Sequence, residues 1–458
     1  MFFSCNDSGQ GKKLFSNPDD LSRIKSAGKL VATTNSNSTD YFLYKGEPMG
    51  FQYELLKALC ADLDVKLELI VENDIEKSFS LLWTSKCDIL AFGLTTTGER
   101  NKMFDFTEPI CQTKQVLVQY IKEKWRSLPG KALNDSLIRS TMELGGKTIH
   151  IQKGTAFKSR IENLSQEIGK PINIIEIDSL EVEEIIALVA EGKIEYTVCD
   201  ENVALVNSSY YSNIDVKTGI SFTQNIAWAV KKGSDSLRMA VNNWLVDFKT
   251  TKEFRMLYDK YYRNPRSAQM IKSEYHSAAG NSISKYDEMI KDGSRIIGWD
   301  WRLLASLICQ ESRFQDNLVS WAGASGLMQM MPATARKFGA DSLSGPAQNI
   351  NAGAKYIKYL EKTFFSDIPD PEQRIKFILA SYNVGPGHIL DARKLAKKYG
   401  KNDKLWDDHV EFFLLHKTNP KYYSDSLSSS GYCRGVEPCR FVDMVISRYE
   451  HYRNMVKE

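Results

Sequence analysis

The sequence predicts two different folds in series, an α/β half followed by a mostly α-helical half. Three observations carry this. Strand-like and helix-like runs alternate from about residue 21 to Pro265. From about Ser284 helical runs dominate, and no alternating strand run of comparable length remains. The length, 458 residues, exceeds what one ordinary core holds. The expected divisions are a tether at 1–20, the α/β part at 21–267, a small-polar linker at 268–283 and the helical part at 284–458.

In chain order, LSRIKSAGKLVATT reads as a short helix and then a strand. Pro48 and Gly50 mark a turn before FQYELLKALCADLDVKLELIV, which reads as helix then strand. Phe51, Leu55, Leu56 and Leu59 recur there at helical spacing, and the following VKLELIV alternates. The same order repeats through SFSLLWTSKCDILAFGLTTT, GGKTIHIQKGTAF, INIIEID and EVEEIIALVAEGKIEYTVCDENVALV. Strand and helix in turn give a parallel sheet, whose ligands sit beyond the carboxyl ends of the strands. That directs attention to Thr95 to Arg100, Lys153 to Thr155, and Asp200. VDFKTTKEFRMLYDKYYRNP reads as the closing helix of this half. In the second half the helical runs are IGWDWRLLASLICQES, NINAGAKYIKYLEKTF, PEQRIKFILASYN and HILDARKLAKKYG.

Composition excludes several classes. Sixty Lys and Arg stand against 57 Asp and Glu, a net charge of +3, which lacks the basic bias of a committed nucleic-acid binder. No apolar run approaches the roughly 18 residues of a membrane-spanning helix. The eight cysteines show no paired CxxC spacing, so no metal site and no cofactor are expected. Cys433 and Cys439 flank the Gly- and Pro-containing loop of GYCRGVEPCR, and a local disulfide between them is one reading of that spacing. The N-terminal MFFSCNDSGQGKK resembles the end of a bacterial lipoprotein signal, with Cys5 as the lipid-bearing residue; an incidental cysteine in a frayed tail is the alternative.

EPMGFQYELLKALCADL, followed by CDILAFGLTTTGERNKMFDFTEPI, resembles the extracellular solute-binding proteins of the amino-acid-binding type. Asp88, Gly93, Thr95, Thr97, Arg100, Phe106, Thr107 and Pro109 carry the match in order. The resemblance implies a two-lobed, periplasmic-binding-protein-like module. It also implies that Arg100 grips a ligand carboxylate beside Thr95, a task suited to a planar guanidinium fork. QKGTAF resembles the family's anion-binding turn and implies Thr155 as a contact. Asp200, in YTVCDENVAL, matches the acidic residue that takes the ligand ammonium. A surface arginine at 100, a helix cap at Thr155 and a cap at Asp200 are the alternatives these positions leave open. The implied ligand is a small zwitterion, amino-acid-like or a muropeptide.

The helical half carries Glu311-Ser312, then GASGLMQMMPATA from Gly323 to Ala335, then Asn349-Ile350-Asn351-Ala352-Gly353, then Ala380-Ser381-Tyr382-Asn383-Val384-Gly385. Four segments in this order resemble the lytic transglycosylases of the lysozyme-like superfamily, which cut bacterial peptidoglycan. The resemblance implies Glu311 as the catalytic residue, and Ser325, Met328, Gln329, Tyr382 and Asn383 along the glycan cleft. Gln329 offers both a donor and an acceptor to sugar groups. Core packing is the alternative for at least one of Met328, Met330 and Met331, and Asn349 reads as a helix cap.

Physical reasoning on the residues agrees with Glu311. Leu303, Leu304, Leu307 and Ile308 form an apolar stripe, and Glu311 falls on the same face. Apolar surroundings disfavour its charged form and suit it to general-acid work. Hydrolytic glycosidases ordinarily need a second carboxylate roughly 5 to 9.5 Å away. Asp316 is turned from that face, and Asp300 lies about 16 Å back along a continuous helix. The transglycosylase resemblance removes the need, because the sugar's own C6 hydroxyl attacks and leaves a 1,6-anhydro end. A water-using muramidase and a sensory solute-binding protein with an inactive helical half are the competing readings. The expected partners are glycan strands, a cleft ligand and, through Cys5, the periplasmic face of the outer membrane.

Overall fold

The structure, a computed structural model, describes residues 19–178, 180–264, 282–341 and 343–456. Cys5 and most of the expected linker lie outside the described residues. The chain forms two compact units. One holds Phe51–Arg263 with the described residues of Met1–Asn35; the other holds Ser36–Gly50 with the described residues of Asn264–Glu458. No single boundary near residue 267 therefore separates them, since a segment from early in the chain packs with the helical half.

The α/β unit contains two sheets. In the first, Lys66–Val71, Lys29–Thr34 and Ile89–Thr95 run parallel, with Lys29 opposite Lys66 and Ala32 opposite Ile89. Gln224–Lys231 then joins antiparallel, followed by Phe104–Phe106, with Cys111–Thr113 also on Gln224–Lys231. In the second sheet Asn173–Ile177, Thr148–Gln152 and Tyr196–Asp200 are parallel, and Gln115–Tyr120 and Ile214–Gly219 add antiparallel. The sequence thus predicts the parallel strands but not the antiparallel ones. The latter belong to the two passages between the sheets, where neighbours are set by long-range return and not by a local helix-strand repeat. Helix Phe51–Leu63 buries Phe51, Leu55, Leu56 and Leu59, the face its spacing predicts. Val116, Leu117, Ile149, Ile151, Ile161 and Val198 anchor the core around the second sheet.

In the helical unit, Trp301–Ser312 is the central element. Its Leu303, Leu304, Ala305, Leu307, Ile308 and Cys309 are all buried, which is why a run this apolar folds here as a core helix. Helix Val436–Met455 lies against it, with the Ser306 hydroxyl donating to the Val445 carbonyl at 2.7 Å. Proline opens helices Pro332–Phe338, Pro346–Leu360, Pro371–Val384 and Pro386–Lys398, where its missing N–H is no loss. Ser36–Gly50 contributes a hairpin, Phe42–Tyr44 paired with Glu47–Met49, with Leu43 in the helical core. Lys45 and Gly46 both have positive φ (52° and 76°), as a tight two-residue hairpin turn requires. Pro48 is consequently a strand residue and not part of the turn before the next helix. A Cβ on Gly46 would lie 2.5 to 2.8 Å from Tyr452, Phe314 and Cys309, so only glycine lets the hairpin approach this closely.

Cys433 and Cys439 are free, buried thiols, contrary to the expected disulfide. Cys439 lies in the first turn of Val436–Met455, and both side chains join the apolar core as small hydrophobes. Among the described residues no helix is long and apolar enough to cross a membrane.

Candidate active site and ligand cleft

Glu311 sits in the last turn of Trp301–Ser312, partly buried at the end of the helix's apolar face. Its carboxylate has no hydrogen bond or ion pair among the described residues. Burial pushes its carboxyl up to about 8, and no charged neighbour contributes. A second carboxylate within working range would add its own repulsion, and none among the described residues does. Asp300 caps the opposite end of the same helix and is committed to Arg302 (2.6 Å) and the Tyr449 hydroxyl (3.0 Å). Asp316 is exposed beyond the helix.

Tyr382 lies close enough for ionised Glu311 to matter to it. Burial first, and then the Glu311 charge, hold its phenol well above the usual range, so it stays a neutral donor. That hydroxyl donates to the Met328 carbonyl at 2.8 Å, and the ring packs on Tyr356 with centroids 5.4 Å apart. The Met328 N–H in turn donates to the Asn349 Oδ1 at 2.8 Å, and the Asn349 Nδ2 donates to the Ser325 carbonyl at 3.3 Å. A chain of hydrogen bonds therefore runs from Tyr382, which feels the Glu311 charge, to the glycine-rich loop. A Cβ on Gly326 would come within 2.5 to 3.0 Å of the Asn349 amide, and φ there is 78°. Glycine is required at that position for both reasons.

Two expected substrate contacts have other occupations. The Met328 side chain is fully buried in the core, against Gly353, so this position serves the cleft only through its backbone. The Gln329 amide nitrogen donates to the carbonyls of Leu318 and Gly326, both at 2.9 Å, and braces the loop from inside. Asn349 is not a cap: the helix begins three residues earlier at Pro346, and the asparagine is buried under the loop. Ser325 bridges Val319 and Met330 within the loop, and Asn383 is exposed beside Tyr382. Sequence reasoning missed Trp321, fully exposed in the same loop. A large aromatic in a run of Ser, Gly and Ala was the available signal.

In the α/β unit the four expected ligand residues gather at the carboxyl ends of their strands, as the topology requires. Arg100 is buried in helix Gly98–Met103, whose cap is the Thr97 hydroxyl. Its guanidinium donates to the Thr95 carbonyl at 3.1 Å and to the Gly154 carbonyl at 3.3 Å, and lies 5.5 Å from the Phe79 ring centre. Burial lowers the Arg100 pKa to about 10, and the nearby Asp200 carboxylate partly restores it. Asp200 begins helix Glu201–Tyr210, but its side chain does not cap that helix. The Thr155 hydroxyl donates to the Gln152 carbonyl at 2.7 Å, which leaves the backbone N–H groups of that turn, and not this O–H, to meet an anion.

Residues 30–264 match the bacterial extracellular solute-binding proteins, family 3, and residues 288–405 match the transglycosylase SLT domain. Over 431 residues the chain is 32% identical to a membrane-bound lytic murein transglycosylase F of Desulfosudis oleivorans, spanning 94% of this chain and 91% of that protein. The chain belongs to this family. A Pseudomonas fluorescens relative of the same name is 31% identical over 436 residues, 94% of this chain and 86% of the relative. The ancestral amino-acid-binding protein AncCDT-1 aligns with 54% of this chain and all of its own length, at 25% identity and a TM-score of 0.45. The SLT match contains Glu311, the 323–335 loop and Tyr382; the solute-binding match contains Arg100, Thr155 and Asp200.

Proposed function

We propose that this chain is a peptidoglycan lytic transglycosylase that breaks the β-1,4 bond between N-acetylmuramic acid and N-acetylglucosamine and leaves a 1,6-anhydromuramoyl end. The observation that carries this is the solitary carboxyl of Glu311, raised to about 8 by burial with no second acid beside it among the described residues. At neutral pH it holds a proton and gives it to the glycosidic oxygen as the bond breaks. The carboxylate left behind is disfavoured by its surroundings and so is a strong base. It takes the proton of the muramoyl C6 hydroxyl, whose oxygen attacks C1 and closes the anhydro ring. With the nucleophile built into the substrate, neither an activated water nor an enzyme nucleophile is needed, and the attack gains from high effective molarity. Tyr382 and the loop it braces, Ser325 to Gln329, line the sugar site, with Asn383 at its edge. Mass analysis of fragments released from sacculi tests the reading: each product is lighter by one water than its hydrolytic counterpart, and Glu311→Gln releases none.

The α/β unit binds a small ligand with a free carboxylate, an amino acid or a muropeptide. The carboxylate meets Arg100, with Thr95 and the Thr155 turn beside it, and the ammonium meets Asp200. Binding regulates cleavage by the helical unit. Calorimetry with muropeptide on wild type and Arg100→Ala tests the site. Sacculus turnover with and without ligand tests the regulation, which is wrong if both proteins respond alike. The relatives' name and the N-terminal pattern support a location at the periplasmic face of the outer membrane, held by a lipid on Cys5. Mass analysis of the cell-derived N-terminus tests the lipid.

A further inference from the structure

The two sheets of the α/β unit repeat one order of parallel strands. In the first, Ile89–Thr95 is followed outward by Lys29–Thr34 and then Lys66–Val71; in the second, Tyr196–Asp200 is followed by Thr148–Gln152 and then Asn173–Ile177. Arg100 stands at the end of the inner strand of the first sheet, on the Thr95 carbonyl, and Asp200 ends the inner strand of the second. The Asp200 charge acts on Arg100, so these inner ends face one another. The outer ends also face one another, and each carries an acid. Glu72 follows Val71, with its N–H on the Thr34 carbonyl at 3.0 Å. Glu181 comes just after Asn173–Ile177 and accepts from the Gln152 amide at 2.8 Å. Burial raises the Glu181 carboxyl to about 7 against that hydrogen bond, and the charges of Glu184, Glu183 and Glu72 add to the rise.

The outer end of the cleft offers acceptors. Glu72 takes the Asp74 N–H at 3.0 Å, and neither Glu72 nor Glu181 has an ion pair among the described residues. The Lys153 ammonium in the adjoining turn is held by Asp178 at 3.2 Å. At the end of the middle strand Lys29–Thr34, the Asn35 Oδ1 is sealed from solvent and accepts no hydrogen bond among the described residues. An ammonium complements such a set, with three donors and no acceptor. Two strand spacings, about 10 Å, separate the inner and outer ends. A four-carbon stem with a hydrogen bond at each end spans roughly that distance. Ile75, 3.6 Å from where a Cβ on Gly154 would stand, gives the stem an apolar contact on the way. On the reading that Arg100 and Asp200 hold the head group of an amino acid, we propose that the cleft selects a ligand with a second ammonium on an aliphatic side chain, received by Glu72, Glu181 and Asn35. The ligand class is a diamino carboxylate. An apolar amino acid would leave the two acids facing one another without a cation between them.

Calorimetry on the full-length chain at about pH 8, above the Glu181 carboxyl, tests this with L-lysine and L-norleucine. Norleucine is lysine without the side-chain ammonium. Lysine is expected to bind at least about tenfold more tightly, the worth of one charge-assisted contact. Glu72→Gln combined with Glu181→Gln keeps both shapes and removes both charges. In that variant the preference for lysine is expected to vanish while norleucine binds as it does to wild type, which also shows that the cleft is folded. Norleucine bound by wild type as tightly as lysine would overturn the second-ammonium proposal and leave the amino-acid reading standing. A lysine preference that survives the double substitution would overturn it too. Binding of neither amino acid would refute the reading of the cleft itself, and the proposal with it.

Discussion

Replacing Glu311 by glutamine keeps the side chain's shape and removes its ability to ionise, and burial makes two opposite consequences follow. Activity is lost, because an amide neither gives the proton to the glycosidic oxygen nor takes one from the C6 hydroxyl. Stability rises. In the native state burial holds the Glu311 carboxyl at about 8 against an ordinary 4.5. Stability is therefore fully present below about pH 4.5 and declines as the pH rises toward 8, because the unfolded chain ionises where the folded one cannot. At about 1.4 kcal/mol for each unit between 4.5 and 7, the wild type forgoes roughly 3 kcal/mol at pH 7. The glutamine variant does not, so at pH 7 its helical unit gains up to that amount, and at pH 4 the two proteins unfold alike. Urea denaturation at the two pH values, followed through the helical unit's transition, measures the difference. Equal stability of the two proteins at both pH values would refute the buried, unpaired carboxyl. Retained cleavage would refute its catalytic role.

Asn349→Ala removes the partner of the buried Met328 N–H and the support of the Ser325 carbonyl; about 1–3 kcal/mol of stability is expected to go, seen in thermal melts, with a fall in kcat as the loop slackens. Arg100→Ala takes the guanidinium fork from the α/β cleft, and calorimetry is expected to show ligand affinity lowered about a hundredfold. Lys417 and Asp391 are fully buried and paired at 2.6 Å, with Ser429 and Ser430 N–H groups also on the carboxylate. Lys417→Met strands that charge and is expected to cost about 3–5 kcal/mol in denaturant unfolding. Burial works to raise the Asp391 pKa, but the Lys417 hydrogen bond and the two N–H groups outweigh it and bring it down to about 2. Its contribution is thus complete above the ordinary carboxylate range near pH 4 and is lost as the pH falls through about 2. An acid titration of unfolding in wild type is expected to show that loss, and Lys417→Met to lack it.

What could be read in the sequence was what short-range pattern decides. The strand-helix alternation placed Thr95, Arg100, Thr155 and Asp200 at strand ends, and the stripe of Leu303, Leu304, Leu307 and Ile308 placed Glu311 on a buried face. What could not be read depends on partners far along the chain. Residues 36–50 look like part of the α/β half, because nothing local announces that Gly46 meets Tyr452, 406 positions away. The same holds for Asn349: a helix-start pattern is visible, but the loop 21 residues earlier that takes its amide is not. Gln329 has the right chemistry to hold a sugar, yet its nitrogen is used by Leu318 and Gly326, and only the loop's conformation reveals that. For Cys433 and Cys439 spacing permits a bond, while the core that takes them as separate apolar thiols decides against it.

The central claim is that the sugar's own hydroxyl, and not water, completes the reaction of Glu311. Digestion of purified sacculi in water enriched in heavy oxygen, followed by mass analysis of the released fragments, tests it most directly. The account predicts anhydro products that carry no heavy oxygen at the cleaved muramoyl end. Products with a reducing end bearing the label would contradict it.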